Sequence, residues 1–447
     1  MKQIEEPLRM IPVMAETDVL VVGSGPGGLA AALAAAREGV DTMLVERYGC
    51  FGGNITQAMV ESIAWYRHEG TVESEGIGVE FEKRAREMGG SRREPQSQSE
   101  ALDADMFKYV ADKMVEESGI VPILHCFAVE AVMEGEVIRG IITESKSGRQ
   151  AILAKRVIDA TGDADIACRV GAPYRMDPKE KLQGLTVSFG CSGVDRERFL
   201  EYVKEHPSSL KDWAKETTGK EDNLFSTYLS EPFRKAREAG EIPENVLKGG
   251  YWSSLTEAGE ATYMNIVYVL GMDPTYVWDL TKAEMEGRQQ AMWAIAALKK
   301  YTPGFENAKL RTFGQSIGVR ESRKIIGEYN ITGHDVRNEA RFEDSIGIFP
   351  EFLDMFSLVI IPTTGRYFQV PYRILVPQKV ENLLVVGRCV AGDKISHAAT
   401  RQMMCCTVTG QGAGVAAVVS IKDNVTCRSV NIRKVQKALK KQGVRVD

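Results

Sequence analysis

Apolar residues first gather at Asp18-Val-Leu-Val-Val22, a short run of strand type. Gly23-Ser-Gly25-Pro26-Gly-Gly28 follows at once, and then an Ala/Leu run with no polar residue before Arg37. That pattern predicts a helix buried on all sides and stopped at Gly39. A second apolar run, residues 42–45, ends in Glu46. The order is strand, glycine-rich turn, helix, strand, acid.

Downstream, residues 88–100 are polar and rich in Gly, Ser and Arg, and read as an exposed loop. Residues 103–117 have helical spacing, with Met106, Val110 and Met114 on one face. The period then shortens to two. Runs at 124–132, 137–143 and 151–154, separated by Glu-Gly-Glu and Lys-Ser-Gly-Arg turns, predict a small antiparallel meander. A further buried strand from Arg156 ends in the small-residue turn Ala160-Thr161-Gly162.

Residues 174–349 follow a different rhythm. Strands are predicted at 184–189 and 262–270, and helices at 196–205, 232–240 and 281–300. The last portion holds a strand at 382–387, a helix start at Gly410-Gln-Gly412-Ala413-Gly414 and an amphipathic helix at 430–441. The predicted class is α/β: a Rossmann-like domain with a β-meander, plus an inserted α+β substrate domain. Residues 1–173 and 350–447 form the two parts of the first domain, and residues 174–349 form the insertion.

With 447 residues, 26% charged and 44% apolar, the composition is that of an ordinary enzyme. The net charge of −5 opposes a nucleic-acid partner, which needs a basic face. No run is expected to approach the length of a membrane span, and the amino terminus lacks a signal-peptide layout, so a cytoplasmic location is expected. The eight cysteines show no C-x-x-C spacing and the five histidines no H-x-x-x-H pattern, so no metal site is expected.

The first stretch carries chemistry. Gly23 permits the tight turn, Gly25 lets backbone N–H groups approach a pyrophosphate, and Gly28 lets helix and sheet pack closely. The helix N-terminus, with unpaired N–H groups and a partial positive charge, favours an anion. Glu46 stands where a carboxylate accepts hydrogen bonds from an adenosine ribose. Next come Arg47-Tyr-Gly-Cys-Phe-Gly52-Gly53-Asn54, whose glycine pair brings backbone close to whatever the fingerprint binds.

With these pieces in order, the sequence resembles the FAD-dependent oxidoreductases of the glutathione-reductase-like superfamily, distantly related to fumarate reductase flavoproteins. Besides the fingerprint and Glu46, Phe51-Gly-Gly-Asn-Ile, Val157-Ile-Asp-Ala-Thr-Gly-Asp163, Gly318-Val-Arg-Glu-Ser-Arg323, Val386-Gly-Arg388, Arg401 and Gly410-Gln-Gly-Ala-Gly-Val-Ala carry the resemblance. It implies FAD extended along the sheet, with Val129 touching adenine through its backbone and Thr161-Gly162 beneath the adenosine and pyrophosphate. It also implies Asp393 at the ribityl or pyrophosphate oxygens, and the helix at Gly412-Ala413-Gly414 aimed at flavin N1 and O2. No histidine flanks Gly52-Gly53, where the covalent flavoproteins attach their cofactor, so non-covalent FAD is implied.

The same resemblance makes Arg401 a substrate ligand, able to clamp a carboxylate or enolate oxygen. His397, four residues earlier, becomes the acid/base candidate. Arg366-Tyr367 takes the place of a His-Tyr pair. Arg320, Glu321 and Arg323 read as a buried ion-pair network joining the domains.

The implied reaction is hydride transfer between a small polar, carbonyl- or carboxylate-bearing substrate and flavin N5. An electron donor or acceptor is the other partner, and a homo-oligomer is left open. A flavin-dependent aromatic hydroxylase and a non-catalytic FAD-binding protein are the alternatives.

Overall fold

The computed structural model describes residues 2–63, 73–93, 99–205, 228–355, 358–360 and 365–447. His68, His206 and residues 94–98 of the expected loop lie outside the described residues.

The run at 18–22 is the end of a longer strand, Val13–Val22, because residues 13–17 also find partners. It lies between Thr42–Val45 and Gly148–Asp159, with Val121–Ile123 beyond the former and Leu383–Val385 beyond the latter, all parallel. Val19, Leu20 and Val21 are fully buried, as a parallel strand covered on both faces requires.

The expected meander is part of this sheet. Gly148–Asp159 is one strand of 12 residues. Along one edge, its first half pairs antiparallel with Val137–Ser145 and its second half parallel with Leu383–Val385. Phe127–Glu134 then pairs with Val137–Ser145 at the sheet edge.

The helix Ala104–Glu117 forms where its spacing predicts, with the Asp103 carboxylate accepting from the Asp105 and Met106 N–H groups. Its buried face is set by Phe107, Val110, Ala111 and Met114, while Met106 looks outward.

The glycine-rich run near 410 is not a helix start. The helix is Met403–Lys422, with Gln402 as N-cap, and Gly412, Ala413 and Gly414 lie buried in its middle. These small residues let it press against Pro26–Arg37. A Cβ on Gly410 would lie 2.0 Å from the Gly27 carbonyl oxygen, and one on Gly414 would lie 2.3 Å from that of Ala31. Met403–Lys422 is long and apolar enough to cross a membrane by length and composition. It is the core helix here, with 94% of its most apolar window buried inside the protein.

A second hydrophobic core lies in the middle of the chain. Its five-stranded sheet runs Tyr228–Leu229, Gly250–Trp252, Ala261–Asn265, Phe189–Ser192, Lys309–Phe313. Helices Arg196–Glu205, Glu231–Glu238 and Val277–Tyr301 accompany it. Phe199 centres this core, its ring edge-on to Trp252 at 5.1 Å and Phe305 at 4.9 Å. Ile325, Ile331, Val336 and Ile346 pack instead into the first core. The chain therefore returns to that core well before residue 349, because Ser345–Pro350 is fully buried and Ile346 and Gly347 meet the Met403–Lys422 helix.

Glu61 ties the two bodies together. It is 2% exposed and accepts from Thr262 Oγ1 at 2.6 Å. Burial pushes its carboxyl up to about 7 from the usual 4.5, although the Thr262 bond pulls the other way. The folded chain thus holds a proton that the unfolded chain releases between those two values. Stability contributed by this site is present below the lower value and falls as pH rises through the window, by up to about 1.4 kcal/mol per pH unit. Glu61→Gln is expected to flatten that fall. Urea unfolding of both proteins between about pH 5 and pH 8 checks it; parallel pH profiles contradict it.

Candidate active site

Each glycine of the fingerprint has a distinct geometric cause. Gly23 has φ +98°, and a Cβ there would lie 2.4 Å from the Ala160 carbonyl oxygen. A Cβ on Gly28 would lie 1.9 Å from the Gly23 carbonyl oxygen. Gly25 is different: its φ of −62° suits any residue, and a Cβ would meet nothing nearer than the Gly53 Cα at 4.0 Å. The space it leaves is open.

That space is a channel of about 170 Å³ lined by Gly23 to Gly28, Glu46, Arg47, Gly53, Asn54, Thr161 and Gly162, among others. Glu46 sits at its wall, 6% exposed, and accepts from Ser24 N and Oγ at 2.8 and 2.6 Å and from Tyr48 N at 3.0 Å. Gly52 has φ +109° with Thr56 against it, and it is not among the lining residues. The Ala160-Thr161-Gly162 turn is anchored by Asp159, which accepts from Thr161 N at 3.0 Å, Thr161 Oγ1 at 2.7 Å and Ala167 N at 2.9 Å.

Two helices begin in this channel. Pro26–Arg37 starts at Gly25 and Met403–Lys422 at Gln402, and neither has a side-chain cap. Residues of both first turns, Pro26 to Gly28 and Met403 and Cys406, line the channel. Uncapped N–H groups of two helices therefore meet one cavity, an arrangement that fits a pyrophosphate and a second anionic group. The residues present fit FAD.

Three expected contacts lie elsewhere. The Val129 carbonyl accepts from Arg169 Nε at 2.8 Å, and its neighbours Phe127 and Ala128 line the channel instead. Asp393 is the N-cap of Lys394–Thr400, accepting from Ser396 N at 2.7 Å and Gly333 N at 2.9 Å, so its carboxylate is consumed in joining two segments. Gly412, Ala413 and Gly414 face neighbouring helix and strand, not the channel.

A larger cavity of about 490 Å³ lies beside the channel, between the two bodies. Asn54, Val319, Arg388, Arg401 and Met403 line both spaces and form their common wall. Arg401, 11% exposed, gives Nη2 to the Asp354 carbonyl oxygen at 2.6 Å and carboxylate at 2.7 Å, leaving its buried Nε without a partner. Arg388 pairs with Asp163, and its Nε is likewise buried and unpartnered. The sequence alone assigns Arg388 no site role, although it lies in the helical turn Gly387–Cys389 just past the strand Leu383–Val385.

His397 is 1% exposed and lies on neither wall. Burial, together with Lys324, Arg401 and Arg388 nearby, holds its imidazole well below the ordinary histidine value, so it is neutral and sealed from solvent. A proton shuttle facing the cleft is not what this position provides. Arg366 is also away from both spaces, paired through Nε with Glu351 at 2.8 Å. The expected Arg320-Glu321-Arg323 network divides in three. Glu321 pairs with Lys324 at 2.9 Å, Arg323 with Asp165 at 2.9 Å, and Arg320 faces the large cavity. Among the described residues, no group of three or more His, Cys, Asp or Glu side chains is placed to hold a metal ion.

A parallel sheet, an uncapped glycine-rich helix start and an acid at the end of the second strand define a dinucleotide-binding flavoprotein fold. The chain belongs to the FAD dependent oxidoreductase family, whose profile matches residues 18–439, and FAD is its cofactor. Over 169 residues it is 31% identical to digeranylgeranylglycerophospholipid reductase 1 of Methanopyrus kandleri, covering 37% of this chain and 44% of that protein. A 59-residue stretch is 46% identical to sarcosine oxidase subunit alpha of a Corynebacterium species, covering 13% of this chain and 6% of that one. The matches thus span less than half the length of either relative. The fold is similar to the crystal structure of a geranylgeranyl bacteriochlorophyll reductase-like protein from Thermoplasma acidophilum, with a TM-score of 0.50 and 14% identity over 97% of this chain and 85% of that one.

Because a Cβ at Gly25 meets only the Gly53 Cα, at 4.0 Å, in the free protein, its replacement bears chiefly on the ligand space. Gly25→Val is expected to stay folded, with an unchanged far-ultraviolet spectrum, and to lose bound FAD. Wild-type flavin content in the soluble variant would remove the pyrophosphate from this position.

Proposed function

We propose that this protein is a dehydrogenase or reductase acting on a small polar molecule with a carbonyl or carboxylate group, bound in the 490 Å³ cavity. One observation carries the reading: the cavity and the cofactor channel share the wall of Asn54, Val319, Arg388, Arg401 and Met403. Bound FAD supplies hydride acceptance or donation at N5. The chain supplies position, charge and exclusion of water.

Arg401 is held by Asp354 on one nitrogen and lies on the common wall. A carbonyl or enolate oxygen arriving there meets the guanidinium charge, and negative charge gathering on that oxygen strengthens the attraction. Tyr251 and Tyr263 are among the residues that line the cavity. An aromatic hydroxylase remains a different reading of the same cofactor. It is distinguished by whether NAD(P)H reduces the flavin only when an aromatic substrate is present.

Arg401→Lys keeps the charge and removes the planar fork. A lost charge-assisted hydrogen bond of about 1.5–3 kcal/mol corresponds to a fall of roughly ten- to a hundredfold in kcat/KM. Flavin occupancy is expected to stay at the wild-type level. If occupancy falls in proportion to turnover, Arg401 serves the cofactor instead.

A further inference from the structure

The charge around the large cavity is uneven. Among the described residues, Arg320, Arg388, Arg401 and Lys248 line it, against the single carboxylate of Asp354. Arg401 is paired with Asp354 and Arg388 with Asp163. Among the described residues Arg320 has no carboxylate partner.

Its Nη2 donates to Asn265 Oδ1 at 2.8 Å, and its guanidinium carbon lies 4.8 Å from the centroid of the Tyr268 ring. Neutral neighbours thus orient the guanidinium without cancelling its charge, and its remaining N–H groups stay available. Two further donors on the same lining lack acceptors: Gln183 Nε2 and Ser253 Oγ are buried without partners, on residues only 6% and 2% exposed.

Arg320 lies on the large cavity but not on the wall shared with the channel. Val60, Ile63 and Leu247 supply apolar lining.

We propose that Arg320 holds a carboxylate of the substrate on the part of the cavity outside the common wall. The substrate class is then an amphipathic carboxylic acid: an anionic end on Arg320, an apolar body along Val60, Ile63 and Leu247, and the reacting carbonyl or unsaturated carbon at the Arg401 wall. This rests on the reading of the cavity as the substrate site. Arg320 sets specificity through binding that is equal in ground and transition states, so its loss raises KM more than it lowers kcat.

The test titrates 3-phenylpropionate into the FAD-loaded protein by calorimetry, with neutral 3-phenylpropionamide as control. Wild-type protein is expected to bind the carboxylate more tightly than the amide. Arg320→Gln should weaken the carboxylate by about ten- to a hundredfold and leave the amide unchanged, with Arg320→Lys in between. Val60→Trp, which fills the cavity, should weaken both. If Arg320→Gln has no effect while Val60→Trp abolishes binding, the Arg320 assignment fails and the cavity reading stands. If neither variant alters carboxylate binding, the cavity reading itself fails. Failure of the wild type to prefer the carboxylate overturns the assignment, as does loss of FAD or of folding in both Arg320 variants.

Discussion

The site depends on how closely two helices can lie. Pro26–Arg37 and Met403–Lys422 come from opposite ends of the chain and meet through Gly27, Ala31, Gly410 and Gly414. Any side chain at Gly410 would run into the Gly27 backbone. This contact brings two uncapped helix starts to one channel, where their N–H groups and dipoles add. Burial of both helices on all sides then supplies the apolar core, with Ala30 to Ala35 and Ala416 to Val418 fully excluded from water. The anion-binding chemistry is thus a consequence of backbone approach more than of charged side chains.

The positive charges near the reacting end are handled differently. Arg388 and Arg401 are each tied to a carboxylate on one side and left with an unpartnered Nε on the other. Such half-satisfied guanidinium groups are fixed in place, which lowers the reorganisation needed when charge develops on a ligand. His397 sits behind them as a neutral, buried ring. Its contribution is to packing beside three cations, not to proton exchange with the cavity.

The fingerprint was legible in the sequence because its causes are local: a turn, a helix and a strand end within thirty or so residues of one another. Element positions in the second body, such as Arg196–Glu205 and Val277–Tyr301, followed equally from local periodicity. The run Gly410-Gln-Gly-Ala-Gly misled for a physical reason. A glycine cluster marks either a turn or a close helix crossing, and only the partner helix, some four hundred residues away, decides which. The cavity was least legible. Its walls join Val60 and Ser62, Gln183, Tyr263, Arg320, Asp354 and Arg401, which no spacing rule relates. Asp393 and His397 were plausible by proximity to a motif, but proximity along the chain does not say which way a side chain faces.

The direct test of the account is a crystal structure of the FAD-loaded protein. The pyrophosphate should lie against the N–H groups of the Gly25 to Gly28 turn, and the flavin ring should reach the wall formed by Asn54, Val319, Arg388, Arg401 and Met403, within reach of the large cavity. A flavin ring placed away from that wall, with the large cavity out of contact with N5, would contradict it.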